Sequence, residues 1–327
     1  MPDFRQATLG DLQDISRVWN AAAGEAFPLS PGIILARTEG DPDFSWEYSR
    51  VAQRDGSIIG FCLATRSASG APRPQGWQDK GWVKLMAVDP GWQRQGIGGQ
   101  LLRQAEEALC AGGGIACIAA GTDPFHLFPG PPDDLPGSQP FFAKHGYEVG
   151  ANGPWDMMRD IGDYRVPDRV EALLGGLAPD IRIINATREH TQGICEFLAR
   201  EFPGGWYYYS RLYLGADCDP KEFVILLDGE SVEGFCHTSH YRCRHVQPNT
   251  LWRLALGERY GGLGPIGVSA HLRGRGLGLA LLCKSVEYLQ GLGVRNMCID
   301  WTGLVDFYGK IGFKPWKHYR HAVKTMP

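Results

Sequence analysis

Apolar positions recur along this chain in two rhythms, one alternating and one at helical spacing, and together they lay out a repeated order of elements. Phe4 to Ala7 reads as a strand and Leu9 to Ala23 as a helix. A mixed segment follows, then two strands around a turn at Asp55 and Gly56. Val83 to Val88 reads as a strand, Ile97 to Leu109 as a helix, Ile115 to Ala119 as a strand, and a last helix ends near Lys144 ahead of closing strands. The same order begins again at Ile181, with its hairpin at Asp228 and Gly229.

Local matches support the repetition. Ala7 and Thr8 return as Ala186 and Thr187, Gly60, Phe61 and Cys62 as Gly234, Phe235 and Cys236, and Phe141 to Tyr147 as Phe307 to Phe313. Their order never changes, which predicts a duplicated domain: an N-terminal domain over 1–160, a connector over 161–179 marked by Gly175, Gly176 and Pro179, and a C-terminal domain over 180–327. The distance between copies drops from 180 positions at Gly96 and Gly276 to 166 at Phe141 and Phe307, so the first copy holds about 14 extra residues. They lie in the Pro- and Gly-rich stretch from Phe128 to Gly137, and a loop of that length is usually functional or lid-like.

Each copy carries one junction with chemistry in it. Ile266, Gly267 and Val268 end a strand, Arg273, Gly274, Arg275, Gly276, Leu277 and Gly278 turn the chain, and Leu281 and Leu282 continue a helix. Glycines let the backbone turn sharply and approach a ligand, while the first helical turn offers unpaired N–H groups and the positive dipole end. The first copy repeats this with Val88, then Gln93, Arg94, Gln95, Gly96, Ile97 and Gly98, then Leu101 and Leu102. A dinucleotide site wants such a turn early in its domain, whereas several strands precede it here. A phosphate-binding P-loop wants Gly-Lys-Ser/Thr, which neither copy has.

Composition narrows the function. With 43% hydrophobic and 21% charged residues in 327, the chain reads as a globular protein of two domains. A formal net charge of −3 argues against a nucleic-acid partner, so the local arginines are assigned to smaller anions. Nine cysteines without a Cys-x-x-Cys pair, no apolar leader in Met1 to Gly10 and no membrane-length apolar run lead to the expectation of a cytoplasmic protein, monomer or homodimer, with no membrane partner.

The strand, the Arg273 to Gly278 turn, the helix and the later Phe307-Tyr308-Gly309-Lys310-Ile311-Gly312-Phe313 run resemble the GNAT family, the GCN5-related N-acetyltransferases. Both halves carry the resemblance, in a tandem arrangement also found in mycothiol synthase. It implies an α/β fold (α+β in some schemes): two domains, each a mixed, mostly antiparallel twisted sheet with helices on both faces and a V-shaped cleft between splayed central strands. It also implies acetyl-CoA or another acyl-CoA as co-substrate. Its pyrophosphate would lie on Arg94, Gln95, Gly96, Ile97, Gly98 and Gly99, or on Arg273, Gly274, Arg275, Gly276, Leu277 and Gly278. Its pantetheine would follow the backbone of Met86, Ala87 and Val88, or of Ile266, Gly267 and Val268. The acceptor would be the amine of a small molecule.

In such enzymes the tyrosine of the last helix often protonates the leaving thiolate. Tyr308 holds that position in the second copy and Phe142 in the first, so the C-terminal copy is expected to carry turnover with Tyr308 as its acid. The alternative is a CoA-binding regulatory or scaffold protein with degenerate catalysis. The base stays open among Glu233, His237, His240, Glu258 and a water chain. No metal is expected, because Cys236, His237, His240, Cys243 and His245 lack zinc spacing and a strand throws alternate members to opposite faces. Gly204 to Tyr209, and Asp43, Phe44 and Trp46, are either acceptor walls or core filling.

Overall fold

The computed structural model describes residues 1–67, 74, 76–215 and 218–327. It falls into two compact units, one of residues 1–154 with 317–327 and one of residues 155–316.

The first unit contains β1 (Asp3–Gln6), α1 (Leu12–Ala23), α2 (Pro31–Thr38), β2 (Arg50–Arg54), β3 (Ser57–Arg66), β4 (Lys80–Val88), α3 (Ile97–Cys110), β5 (Cys117–Ala120), α4 (Ser138–Lys144) and β6 (Glu148–Val149). Helix α2 falls in the stretch that carried no clear rhythm. It is started by Ser30, whose hydroxyl caps the Ile33 N–H, and by Pro31, whose fixed φ suits a first turn. Asp55 and Gly56, both at positive φ, close the predicted β2–β3 hairpin between Arg54 and Ser57. Ile97, Leu101, Leu102, Ala105 and Leu109 of α3 turn one face onto the sheet and are buried. Each fully buried leucine stabilises the fold by about 1.5–3 kcal/mol relative to exposure.

The second unit contains β7 (Trp155–Asp160), α5 (Asp168–Gly175), β8 (Ile181–Asn185), α6 (Thr191–Glu201), α7 (Gly205–Gly215), β9 (Phe223–Asp228), β10 (Ser231–His240), α8 (Arg253–Leu256), β11 (Tyr260–Val268), α9 (Leu277–Gly291), β12 (Asn296–Thr302), α10 (Val305–Gly309) and β13 (Lys314–His318). The last strand, β14 (Ala322–Thr325), belongs to the first sheet. The sheet orders are β1-β2-β3-β4-β5-β14-β6 and β13-β7-β12-β11-β10-β9-β8. Both are mixed and mostly antiparallel, with β4–β5 and β11–β12 parallel.

The compact units therefore divide the chain differently from the expected boundaries at 160 and 180. Trp155–Asp160 pairs with β12, and Ala322–Thr325 pairs with β5 and β6, so each sheet is completed by a strand from the other half of the sequence. Alternating residues say that a segment is a strand, but nothing in them says which sheet it joins. The expected connector is ordered as well. Val170 is buried, and Gln290 Nε2 donates to the carbonyls of Ile161 at 2.8 Å and Tyr164 at 3.1 Å.

Candidate active site

The two parallel strands at the centre of each sheet part company midway. The β4–β5 ladder runs from the Lys80–Cys117 pair to the Val83–Ala120 pair and ends there. On the other side of β4, Leu63 opposes Leu85 but Ala64 opposes Val83, which leaves Lys84 as the extra residue of a bulge. A bulge bends its strand, and β4 diverges from β5 at this point. The second sheet does the same: β11–β12 pairing stops at Gly262 and Cys298, and the β10–β11 register shifts between Leu263 and Ile266. The backbones of Met86, Ala87 and Val88, and of Ile266, Gly267 and Val268, thus lie beyond the end of each parallel ladder.

Past each strand the two glycine turns are conformational copies. Gln93 Nε2 donates to the Val88 carbonyl at 2.9 Å and Arg273 Nε to the Val268 carbonyl at 3.3 Å, so the unlike residues tie the turn to the same strand end. Arg94 takes φ 62° where Gly274 takes 75°, and Gly96 takes 84° where Gly276 takes 79°. The unlike pairs Gln93–Arg94 and Arg273–Gly274 therefore make no difference in backbone. Gln95 and Ile97, like Arg275 and Leu277, complete the turns, with Ile97 and Leu277 buried and Gln95 and Arg275 exposed. Gly98 and Gly99 serve packing: a Cβ there would meet Phe141 at 3.3 Å and His145 at 2.6 Å. Gly278 has more room, its nearest neighbour being Val268 at 4.0 Å. A Cβ at Gly96 would meet no atom of the described residues within 4 Å, which is the open cradle an anion needs.

In the first unit the splay opens onto a small cavity of about 70 Å³, lined among others by Trp19, Lys84, Met86, Phe128, Leu135 and Phe142. Its wall includes the Pro- and Gly-rich insert, which contributes Phe128, Gly130, Pro131, Pro132 and Leu135. Carboxylates hold that insert in place. Asp133 accepts from His318 at 2.6 Å and Arg320 at 3.1 Å, and Asp134 pairs with Lys317 at 3.3 Å. Burial opposes ionisation of Asp133, but the hydrogen bonds from His318 and Arg320 outweigh it and hold the carboxyl below its usual range.

Lys84, the bulge residue, is fully buried at the cavity wall. Its ammonium donates to Asp41 Oδ2 at 2.9 Å, to Asp123 and to the Phe125 carbonyl at 3.3 Å, so its three protons join three segments of chain. Burial works against this charge, yet the two carboxylates raise the lysine above its ordinary value. Asp41 is pushed up by burial and by Asp123, against the pull of Lys84. Asp123 Oδ1 is buried without a hydrogen-bond partner among the described residues. The trio was missed in the sequence, where its only trace is one charge inside the apolar run from Trp82 to Met86.

Tyr308 of α10 is buried at the matching place in the second unit, as Phe142 is in the first. Burial, then Cys236 and Asp300, raise its phenol well above the usual range, with Thr302 acting in the opposite direction. The base candidates scatter. Glu233 is paired with Arg200 at 2.9 Å and accepts from Ser231 and Ser269. His237 is buried and stacked on Phe223 at 4.4 Å, with burial lowering it to about 3. Glu258 is exposed on the loop before β11. His240 lies beyond them beside Cys243 and Glu222, the ligand-type atoms of these three falling within 4.8 Å of one another. That cluster is closed by its own hydrogen bonds: Tyr213 donates to Glu222, His240 N–H to Cys243 Sγ, and Arg242 N–H to His240 Nδ1. Trp206 packs against Phe202 at 4.9 Å and Phe235 at 6.0 Å but stays exposed, whereas Tyr208 is buried, so this aromatic stretch fills core only in part. In the first unit Phe44 and Trp46 pack edge to face at 5.0 Å.

Residues 45–149 match the family model for an acetyltransferase (GNAT) domain, and residues 191–313 match that of the acetyltransferase (GNAT) family. The chain is a tandem GNAT protein. It is an N-acetyltransferase of a family that draws on an acyl-CoA co-substrate. It is 27% identical over 315 residues to a mycothiol acetyltransferase of Geodermatophilus obscurus, covering 92% of this chain and 88% of that protein. Its fold superposes with a TM-score of 0.87, at 24% identity, on the GCN5-related glucosamine N-acetyltransferase region of a fungal multi-domain GH3 β-N-acetylglucosaminidase. The match covers 99% of this chain and 38% of that longer one. A tandem GNAT protein from the clavulanic acid biosynthesis pathway matches at a TM-score of 0.66 and 16% identity, over 100% of this chain and 99% of that one. No helix of the described residues is long and apolar enough to cross a membrane.

Proposed function

We propose that this tandem GNAT protein transfers the acetyl group of acetyl-CoA to the amine of a small molecule, and that the transfer takes place in the N-terminal cleft. The observation that carries the placement is the cavity at the β4–β5 splay, lined by Lys84 and Phe142. The Arg94–Gly99 turn would hold the pyrophosphate and the Met86–Val88 backbone the pantetheine. The bound thioester supplies an activated acetyl group. The chain's own residues supply the geometry. Lys84 pins the bulge to Asp41 and Asp123 and so keeps the splay open, and the insert forms part of the cavity wall. A protein that names mycothiol and a region that names glucosamine are the relatives at hand, and both names point to small polar amines as acceptors.

A second reading keeps transfer in the C-terminal cleft. It is favoured by Tyr308, whose raised phenol stays protonated at neutral pH and could donate to a leaving thiolate, a role worth about a hundred- to ten-thousandfold. A CoA-binding scaffold without turnover is separated from both by one experiment. Wild-type protein is given acetyl-CoA with and without a panel of small amines, including amino sugars, and free thiol is followed. Amine-dependent thiol release supports the enzyme; saturable acetyl-CoA binding with no release across the panel refutes it.

A further inference from the structure

The cavity of the first unit lies where the donor's path along β4 ends. Read back from the glycine turn, Val88, Ala87 and Met86 are the backbone assigned to the pantetheine, and the next residues, Leu85, Lys84 and Val83, line the cavity. The two strands meet again at the Val83–Ala120 pair, so the path closes there. Of the described lining side chains, three carry an N–H or O–H group, and each is already bonded inside the fold. Trp19 Nε1 donates to the Phe27 carbonyl at 2.7 Å and Ser138 Oγ to the Leu135 carbonyl at 2.7 Å. Lys84 Nζ is taken up by Asp41, Asp123 and the Phe125 carbonyl. A protonated amine would meet a cation here and no side-chain acceptor, and would be stripped of water without compensation. A hydrocarbon tail gives up nothing by entering.

We propose that this cavity holds the acyl tail of the donor and is sized for more than acetyl, so that the chain binds propionyl- and butyryl-CoA more tightly than acetyl-CoA, with Leu135 as the residue that limits tail length. Its volume of about 70 Å³ has room for about five water-sized groups. An acetyl group leaves part of that space unfilled and a butyryl group fills it. Phe128 and Phe142 are fixed parts of the wall, packed edge to face on Phe27 at 5.0 Å and on Tyr147 at 5.1 Å. Leu135 is different: it is half-buried, and it sits in a turn of the insert closed by the Ser138 N–H donating to its carbonyl at 2.9 Å. A change of its side chain therefore alters the cavity with little cost to the core. In the transfer itself the unprotonated amine nitrogen bonds the acyl carbon, the C–S bond breaks, and the proton lost by the amine ends on the CoA sulfur, whatever the length of the tail.

This inference rests on the proposed acyl-CoA reading, and it is tested by affinity, with turnover followed separately. Calorimetry on the full chain would compare acetyl-, propionyl-, butyryl- and hexanoyl-CoA in the wild type, in Gly276→Glu, and in Leu135→Trp and Leu135→Ala. Each methylene that enters the cavity should tighten binding about fourfold, which is the ~0.8 kcal/mol of its burial, so butyryl-CoA should bind about fifteenfold more tightly than acetyl-CoA. Hexanoyl-CoA should bind no more tightly than butyryl-CoA. The butyryl advantage should persist in Gly276→Glu, fall below about threefold in Leu135→Trp, and pass to hexanoyl-CoA in Leu135→Ala. Acetyl- and butyryl-CoA within about twofold of each other in the wild type overturns the inference whatever the variants do. So does an advantage that disappears in Gly276→Glu, or one that stays whole in a Leu135→Trp protein with wild-type circular dichroism. If the chain-length order is as expected but no donor releases thiol with any amine, the proposed reaction fails while the acyl site stands. Amine-dependent thiol release with no chain-length order in affinity keeps the reaction and overturns the site.

Discussion

Replacing Lys84 by Met should be the most costly single change in the N-terminal cleft. The side chains are similar in length, so the volume of the site is nearly kept, but Asp41 and Asp123 lose the cation that both contact at the bulge. All three groups are buried, with at most 1% of each side chain exposed. Breaking one member out of a buried ion pair costs about 3–5 kcal/mol, because a charge stays behind without compensation. The loss should be local. Hydrogen exchange of peptides covering β4 and β5 should speed up by about two to three and a half orders of magnitude at pH 7.5, while the second unit is unaffected. The pH dependence gives the sharper test. Asp41 is already raised by burial and by the charge of Asp123, and without the opposing pull of Lys84 its folded-state pKa rises further above the unfolded value, so the variant recovers stability as pH falls through the raised value. The difference between variant and wild type should therefore shrink from pH 7.5 to pH 5. A loss below about 1 kcal/mol, or one that does not change with pH, would refute the role given to the trio.

Three further outcomes follow from the geometry. Arg94→Gly should relieve a left-handed residue and add up to about 1 kcal/mol of stability, after glycine's own entropy is set against the strain. Chemical denaturation and acetyl-CoA titration together would check it, since the lost guanidinium should weaken donor binding while the fold gains. His237, lowered to about 3 by burial, should contribute stability that is fully present above its unfolded value of about 6.5 and is lost as pH falls toward 3. Its share of the slope is at most about 1.4 kcal/mol per pH unit, and His237→Phe should remove that share from urea unfolding between pH 4 and 6. Tyr308→Phe should leave kcat within about twofold if transfer occurs in the N-terminal cleft. A fall of a hundredfold or more with unchanged acetyl-CoA affinity would move the chemistry to the C-terminal one.

The duplication, the two glycine turns and the last-helix motif were legible because they rest on short-range residue order: glycines where φ is positive, apolar spacing where a helix meets a sheet. The extra 14 or so residues of the first copy were legible as an insert, and they line the cavity. What escaped was set by distant partners. Trp155–Asp160 and Ala322–Thr325 look like the closing strands of their own halves, and pairing places each in the other sheet. Lys84 looks like a stray charge until Asp41 and Asp123 are brought to it from 43 and 39 positions away. Tyr308 drew attention to the C-terminal copy because a missing oxygen at Phe142 is visible in a sequence.

The placement of the reaction is tested most directly by comparing amine-dependent thiol release in Gly96→Glu and Gly276→Glu, each confirmed as folded. A glutamate at either turn puts a side chain and a negative charge where the pyrophosphate would rest. Transfer in the N-terminal cleft predicts that Gly96→Glu loses at least a hundredfold in kcat/KM for acetyl-CoA while Gly276→Glu stays within about threefold of wild type. The reverse order, with Gly276→Glu inactive and Gly96→Glu fully active, would contradict it and return the reaction to the cleft that holds Tyr308.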